Sequence, residues 1–473
     1  MLKSFFVALL GIPLVASSPS YESVGSVRSP PLTYNNSIIL QRADPHIVKH
    51  TDGWYYFTAS VPDYDQVILR RSQTIQGLED ADEVVVFQRK PSGVGAGFIW
   101  APELHQIDGK WYIYVAVGDD DRWRIRPFVL EGTGDNPLEA TWVEKGLITT
   151  NWDTFSLDAT TFVANGVRYL VWAQNDPNWG DSNTALLIAP MASPWEVRLP
   201  AVAITYPDLP WERIGHNVNE GAYVIKRNGT IFLTYSASAT DHNYCLGLLT
   251  ASETADLMDP SSWAKSQQPV FASSAETSNW GPGHSSFTVS EDGLSDVFVY
   301  HGRSYRDIAG EPLYDPNRRT RVQKLYWRSD GTPDFGIPIP DGWTPIRLRS
   351  AADETLYVRH LQGSPAVAQR DPPALAETQF RVVTPGLSGD GTVSLESTNL
   401  PGRYLRRLGA QVVLAANDAS IAADASFVQE AGLSSAEGVS FRIGSDYVQV
   451  EDGVLVVGAV AEGDEAAATF FAE

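Results

Sequence analysis

The sequence predicts an all-β chain, a five-bladed β-propeller followed by a β-trefoil. Short runs of β-branched and aromatic residues replace helical periodicity throughout. Within the first two thirds, Asp-Gly or Asn-Gly turns flanked by such runs recur at Asp52-Gly53, Asp108-Gly109, Asn165-Gly166, Asn228-Gly229 and Asp292-Gly293. They stand 56, 57, 63 and 64 residues apart, room for one four-stranded blade with an internal hairpin. A different rhythm follows the Pro-rich IPIPDGWTP at 337–345. Segments starting at Ile346, Val393 and Val439 are 47 and 46 residues apart, and they close on Phe380, Phe427 and Phe470. Three all-β repeats of that length suit a trefoil, whose threefold symmetry buries one shared core. The expected organisation is a propeller over 37–342 and a trefoil over 343–473.

The N-terminus, MLKSFFVALLGIPLVASSPS, places Lys3 before an apolar run from Phe5 to Val15 and small residues from Ala16 to Ser18. This pattern is that of a secretory signal peptide over 1–18, so the mature protein is expected outside the cell. No other run is long and apolar enough to span a membrane. A formal net charge of -22 repels nucleic acid and anionic membranes, whereas a neutral polymer is indifferent to it. Cys245, the sole cysteine, can form no internal disulfide and sits among strand-like residues, as a small core residue would. Asn35 and Asn228 begin N-x-S/T sequons.

Five residues stand at nearly one phase of the first repeat. Asp44, Trp100, Asp158, Glu220 and His284 precede their turns by 8, 8, 7, 8 and 8 residues. Equivalent positions of successive blades face a common channel, so these residues are expected to converge. Hydrolysis of a glycosidic bond needs an acid for the leaving oxygen and a carboxylate on the opposite face of the ring. Asp44 and Glu220, from blades one and four, can stand the ~6.5–9.5 Å apart that admits a water and gives inversion. Asp158, nearer Glu220, is expected to raise the glutamate's pKa by like charge. Each carboxylate alone would read as a turn cap or a solvated rim; three at one phase favour a site. Trp100 offers a flat face to a sugar ring, with core packing as its alternative. His284 is a candidate to orient substrate or hold a central ion, with a satisfied core histidine as its alternative.

The phrases ADPHIVKHTDGWYYFTAS, IWAPELHQIDGKWYIYVAV, SLDATTFVANGVRYLVWAQ, SNTALLIAPMASPW, VNEGAYVIKRNGTIFLTYS and GPGHSSF resemble glycoside hydrolase family 43, over about Ser37 to Gly342. The resemblance implies a five-bladed propeller and an inverting mechanism without a required cofactor. It makes Asp44 the general base, Asp158 the residue that modulates and orients the acid, and Glu220 the general acid. It places His284 beside an axial ion, often calcium, and matches Arg303 of YHGRSY to an arginine that contacts the sugar. The C-terminal repeats resemble carbohydrate-binding module family 42. That likeness implies arabinofuranose pockets built on a Tyr-x-x-His phrase and an aspartate. Here the positions are occupied by His360 and Glu377, by Tyr404, Arg407 and Asp424, and, without polar partners, by Val450 and Ala467. Together the resemblances imply exo-acting removal of arabinose from α-1,5-linked arabinan of the plant cell wall.

Two motifs lead elsewhere. NDPNW at 175–179 is similar to an invertase phrase but follows the third hairpin rather than opening the first blade, so a loop is expected. The acidic run Asp119–Asp121 reads as a solvated edge, with a rim cation site as its alternative. On the same fold, β-xylosidase, endo-arabinanase and arabinoxylan arabinofuranohydrolase activities compete, and a non-catalytic sugar-binding lectin is the alternative of another class.

Overall fold

The computed structural model describes residues 32–180 and 183–473; the expected signal peptide lies outside the described residues. Five antiparallel sheets follow one another along the chain. Blade one comprises Ala43–Lys49, Tyr55–Ser60, Gln66–Ser72 and Val84–Gln88, and blade two Ile99–Ile107, Lys110–Val117, Arg126–Thr133 and Thr141–Leu147. Blade three is built on Ser156–Ala164, Val167–Gln174 and Ala185–Ser193, with short outer strands Glu196–Val197 and Val202–Thr205. Blade four has Asn219–Arg227, Thr230–Ala237, Cys245–Ser252 and Ala264–Lys265, and blade five Trp280–Val289, Asp296–Arg303 and Arg319–Lys324. Apolar residues pack between blade faces rather than at one centre. Tyr56 and Leu69 of blade one meet Ile113 and Leu130 of blade two, and Tyr114 of blade two meets Trp172 and Leu187 of blade three.

The hairpin turns divide into two kinds. At Asp108-Gly109, Asn165-Gly166 and Asn228-Gly229 both residues have positive φ, the tight two-residue turn that matches strand twist. The first and fifth loops are longer, since Lys49 pairs with Tyr55 and Val289 with Asp296. There Asp52 and Asp292 accept hydrogen bonds from the backbone two residues on, at 2.9 Å each. Cys245 is buried in blade four and its thiol is pushed up to about 12, chiefly by burial.

Blade five has three strands, and its open edge is covered by the start of the described chain. Ile38 N–H donates to Thr320 O (2.9 Å) and Thr320 N–H to Ile39 O (2.9 Å). The buried side chain of Asn36 completes the strap, donating to Val322 O (2.6 Å) and accepting from Val322 N–H (2.9 Å). Joining the first segment to the last blade removes the unpaired edge an open ring would leave. The same strap grips the connection to the second domain, where Asn35–Asn36 pairs with Gly342–Trp343.

Residues from Ile346 onward form three four-stranded repeats. The first and last strands of each repeat pair in a closed ring, and the hairpins between them meet through Pro365–Val413, Val367–Val454 and Gln411–Val456. This is a trefoil. Phe380, Phe427 and Phe470 are all buried in its single core. Arg347 links the domains, lying over Tyr326 at 4.9 Å and Tyr357 at 3.7 Å.

Replacing Asn36 with alanine strands the buried Val322 amide and carbonyl. The Asn36→Ala variant is expected to lose about 2–3 kcal/mol in urea unfolding. A change below about 0.5 kcal/mol would show that the strap does not hold the ring closed.

Candidate active site

Every inner strand breaks register one third of the way along, at Ala43/His46, Trp100/Glu103, Leu157/Thr160, Glu220/Tyr223 and Gly283/Ser286. At each bulge one residue takes a left-handed conformation: Asp44 (φ 53°), Ala101 (46°), Asp158 (55°), Gly221 (56°) and His284 (44°). Trp100 and Glu220 therefore stand one place before the bulge, not at it. Counting back to the turns concealed this offset because the first and fifth loops are longer. The sequence phase is corrected accordingly, although all five residues still line one pocket. Gly221 suits its bulge on two counts, since an added Cβ would also approach His284 Nδ1 to 3.0 Å.

A bulge leaves its amide without a partner in its own sheet, and at four of the five junctions the preceding blade accepts it. Ser60 Oγ accepts from Ala101 N–H (2.7 Å), Asp158 Oδ2 from Gly221 N–H (2.9 Å), Ser236 Oγ from His284 N–H (2.8 Å) and His301 Nδ1 from Asp44 N–H (3.1 Å). Left-handed non-glycine residues cost ~1–3 kcal/mol each, and this belt of bonds holds them.

The carboxylates are thereby set in different surroundings. Asp44 Oδ2 accepts from Ser60 Oγ (2.6 Å), and Oδ1 lies 3.4 Å from each of Arg318 Nη1, His284 Nδ1 and His301 Nδ1. Glu220 Oε1 accepts from Tyr244 OH (2.8 Å), and Tyr244 stacks parallel on His301 at 5.7 Å. Asp158 Oδ2 is 3.8 Å from His284 Nδ1. Burial disfavours charge on all three, but beside Asp44 the Arg318 guanidinium and the two imidazoles outweigh it and hold the carboxyl well below the usual range. At Glu220 the same Arg318 charge acts only weakly, ranking below burial, the Tyr244 hydrogen bond and the Asp44 charge. Burial pushes it up to about 7 against the Tyr244 hydrogen bond, with the Asp44 charge adding. Asp158 rises through burial and then through Glu220 and Asp44. The like charge that raises Glu220 is therefore that of Asp44 rather than the expected Asp158, whose repulsion with Glu220 raises Asp158 instead. Asp44 is thus held low while the neighbouring Glu220 and Asp158 are held high as a pair.

The pocket, about 210 Å³, is lined by these carboxylates with Trp100, Trp123, His216, Tyr244, His284 and Arg318 among others. Trp100 lines the cavity, yet it is 7% exposed and stacks on Phe98 at 5.1 Å, so core packing takes up much of its surface. Arg303 lies elsewhere than the sugar contact its resemblance implied. It is 1% exposed and spends its guanidinium on Asp315 (3.0 Å) and the carbonyls of Thr240 (2.8 Å) and Pro312 (2.9 Å), bracing two rim loops. Arg318 takes the place beside the pocket. Sequence reasoning missed it, along with Tyr244, Ser60 and His301, because five arginines crowd residues 303–321 and nothing local distinguishes one that reaches Asp44. In NDPNW, Asp176 accepts from Tyr206 OH (2.7 Å) and Trp179 stacks on Tyr206 (4.1 Å), which makes the phrase a braced loop.

Calcium prefers roughly six to eight oxygen ligands. The carboxylates beside His284 are Asp44 and Asp158, already hydrogen-bonded as described. Farther along the channel His46, Glu103 and His105 bring potential ligand atoms within 4.8 Å, but two imidazoles and one carboxylate are a nitrogen-rich set. His46 is also committed, to Leu104 N–H (3.3 Å) and Tyr223 OH (3.1 Å). Neither group of residues fits calcium.

In the trefoil, His360 is fully buried against Asn399 (2.8 Å) and Ser397 (3.1 Å), while Glu377 pairs with Arg359. Arg407 and Asp424 lie 3.4 Å apart and are over a third exposed, with Tyr404 buried on the same strand as Arg407. Val450 N–H donates to Ala467 O as Arg407 N–H does to Asp424 O, so the third pair is equivalent in backbone and lacks only the polar groups.

Comparison with known proteins agrees with this architecture. Residues 34–333 match the model of glycosyl hydrolases family 43, and residues 346–470 that of the alpha-L-arabinofuranosidase B (ABFB) domain. The chain is 60% identical to alpha-L-arabinofuranosidase 43 of Humicola insolens, covering 97% of this chain and 98% of that one. It is 51% identical to an extracellular exo-alpha-(1->5)-L-arabinofuranosidase of Streptomyces avermitilis, over 93% and 90% of the two chains. The crystal structure of an alpha-L-arabinofuranosidase from Lactobacillus brevis superposes with a TM-score of 0.64 at 50% identity, over 65% of this chain and 98% of that one. A propeller whose inner strands turn three carboxylates into one pocket, matched over this length and identity, is that of a glycoside hydrolase: the chain belongs to glycosyl hydrolases family 43.

Proposed function

We propose that the chain is a secreted, inverting exo-α-L-arabinofuranosidase that releases single arabinose units from α-1,5-linked arabinan or arabino-oligosaccharides. The observation that carries this reading is the unequal setting of two buried carboxyls in one pocket: Asp44 lies 3.4 Å from the Arg318 guanidinium, which holds it low, whereas Glu220 is bound by the Tyr244 hydroxyl (2.8 Å) and is pushed up to about 7 by burial. In this reading Asp44 takes a proton from water as the water attacks the anomeric carbon. Glu220 donates its proton to the departing glycosidic oxygen. Asp158 fixes Glu220 through the Gly221 amide and shares in retaining the proton. Blades one and four are not neighbours in the ring, which suits a water between base and sugar and hence single displacement. A cavity of about 210 Å³ supports removal of one terminal sugar over endo cleavage. The relatives named for arabinofuranosidase and extracellular action support the substrate and the export expected from the N-terminus. Arginine and aspartate at 407 and 424, open to solvent, offer an arabinofuranose donors and acceptors that the third pair cannot.

Removing the acid should hurt where protonation matters. Glu220→Gln is expected to lose roughly 10²–10⁴-fold in kcat/KM on arabinobiose and far less on an activated aryl arabinofuranoside, whereas Asp44→Asn should fail on both. Equal losses on both substrates for both variants would remove the assignment. Since the acid must be protonated, kcat/KM of the parent enzyme should fall as pH rises through about 7, the value of Glu220, and Glu220→Gln should lose that limb. Proton NMR of the first product should show β-arabinose from an α-linked substrate; the α-anomer appearing first would exclude inversion. For the trefoil, affinity electrophoresis of the full Glu220→Gln chain on arabinan should show retardation reduced more by Asp424→Ala than by His360→Ala. Retardation unchanged by both would leave these pockets no part in binding.

A further inference from the structure

The carboxylate pocket has room for one sugar, so the rest of a polymeric substrate must be met outside it. Its volume of about 210 Å³ lies below the roughly 300–1,000 Å³ of sites that enclose drug-sized ligands. At its edge stands Trp123, which lines the pocket and is 52% exposed, against 7% for Trp100 beneath it. Trp123 meets the stacked pair Phe98 and Trp100 at interplanar angles of 77° and 68°, with centroids 5.4 and 5.8 Å away. It is held upright by aromatic residues rather than covered by them.

The loop that carries it is built to hold this pose. Asp119 Oδ1 accepts from Asp121 N–H (2.9 Å) and Asp121 Oδ1 from Trp123 N–H (3.1 Å). Arg124 bridges Asp119 (3.2 Å) and Asp153 (2.9 Å), and Arg126 reaches Asp153 at 2.7 Å. The acidic run that reads in sequence as a solvated edge is thus the frame of an exposed tryptophan. A rigid aromatic surface suits the apolar C–H face of a furanose ring and costs little ordering on binding.

We propose that Trp123 is the platform for the leaving-group sugar, the second arabinofuranosyl ring of the chain, and so selects oligosaccharide over other aglycones. The assignment rests on the exo-acting reading above. The scissile sugar would occupy the carboxylate pocket, its neighbour would lie against Trp123, and later units would pass into solvent.

The test compares two occupants of the site. For Trp123→Ala, kcat/KM on α-1,5-arabinotriose should fall about tenfold, which is ~1.4 kcal/mol, while the inhibition constant of free arabinose stays within about twofold. Trp123→Phe should recover most of the loss. Trp123→Gln, polar and of similar reach, should behave like alanine and guards against a variant that fails to fold. Arabinotriose kinetics unchanged in Trp123→Ala, or an arabinose inhibition constant that rises in parallel, would overturn the platform. Early digests of arabinan by the parent enzyme separate this from the underlying reading. A ladder of oligosaccharides would defeat the exo reading, whereas arabinose alone with no dependence on Trp123 would defeat this subsite only.

Discussion

The hydrogen bond from Gly221 N–H to the Asp158 carboxylate joins blade three to blade four and at the same time sets Glu220 beside Asp158. It belongs to a class of contacts on which the centre of the ring depends. A bulge turns a strand's side chains toward the axis but leaves its amide unpaired, and an unpaired buried amide is costly. Supplying the acceptor from the preceding blade answers that need and locks neighbouring blades in register. Ser60, Ser236 and His301 do this with groups that also touch the carboxylates or their partners, so the geometry of the site and the closure of the ring are one problem.

From that arrangement follows the division of labour among chemically similar groups. Asp44 receives Arg318 and lies near two imidazoles, whereas Glu220 receives a neutral phenol from Tyr244. Both are buried, so the difference in their proton affinity comes from neighbours rather than depth. Neither histidine is an ordinary solvent-exposed base. Burial depresses both His284 and His301, the latter to about 3, which leaves them as neutral hydrogen-bonding groups.

The trefoil shows how a threefold scaffold tolerates unequal repeats. Phe380, Phe427 and Phe470 retain one core from three repeats, while the residues at the equivalent polar positions diverge from His360 and Glu377 to Val450 and Ala467. Core symmetry is enforced by packing density; the polar pairs are not needed for it and are free to change. The polar chemistry of the repeats can therefore be lost one repeat at a time without loss of the fold.

The repeats, the turn residues and the phenylalanines determined the fold class locally, because hairpin chemistry and apolar alternation act over a few residues and recur with each blade. The carboxylates were legible for the same reason, each standing at a near-fixed distance from a turn. Phase alone misplaced Trp100 and Glu220 by one residue, since loop length at two hairpins and the bulges are backbone decisions that spacing does not reveal. Arg318 rather than Arg303 beside Asp44, the blade-to-blade acceptors and the upright Trp123 were settled only by the tertiary structure. Each depends on contacts between segments far apart in the chain, up to the 274 residues between Asp44 and Arg318, where local sequence carries no record of the partner.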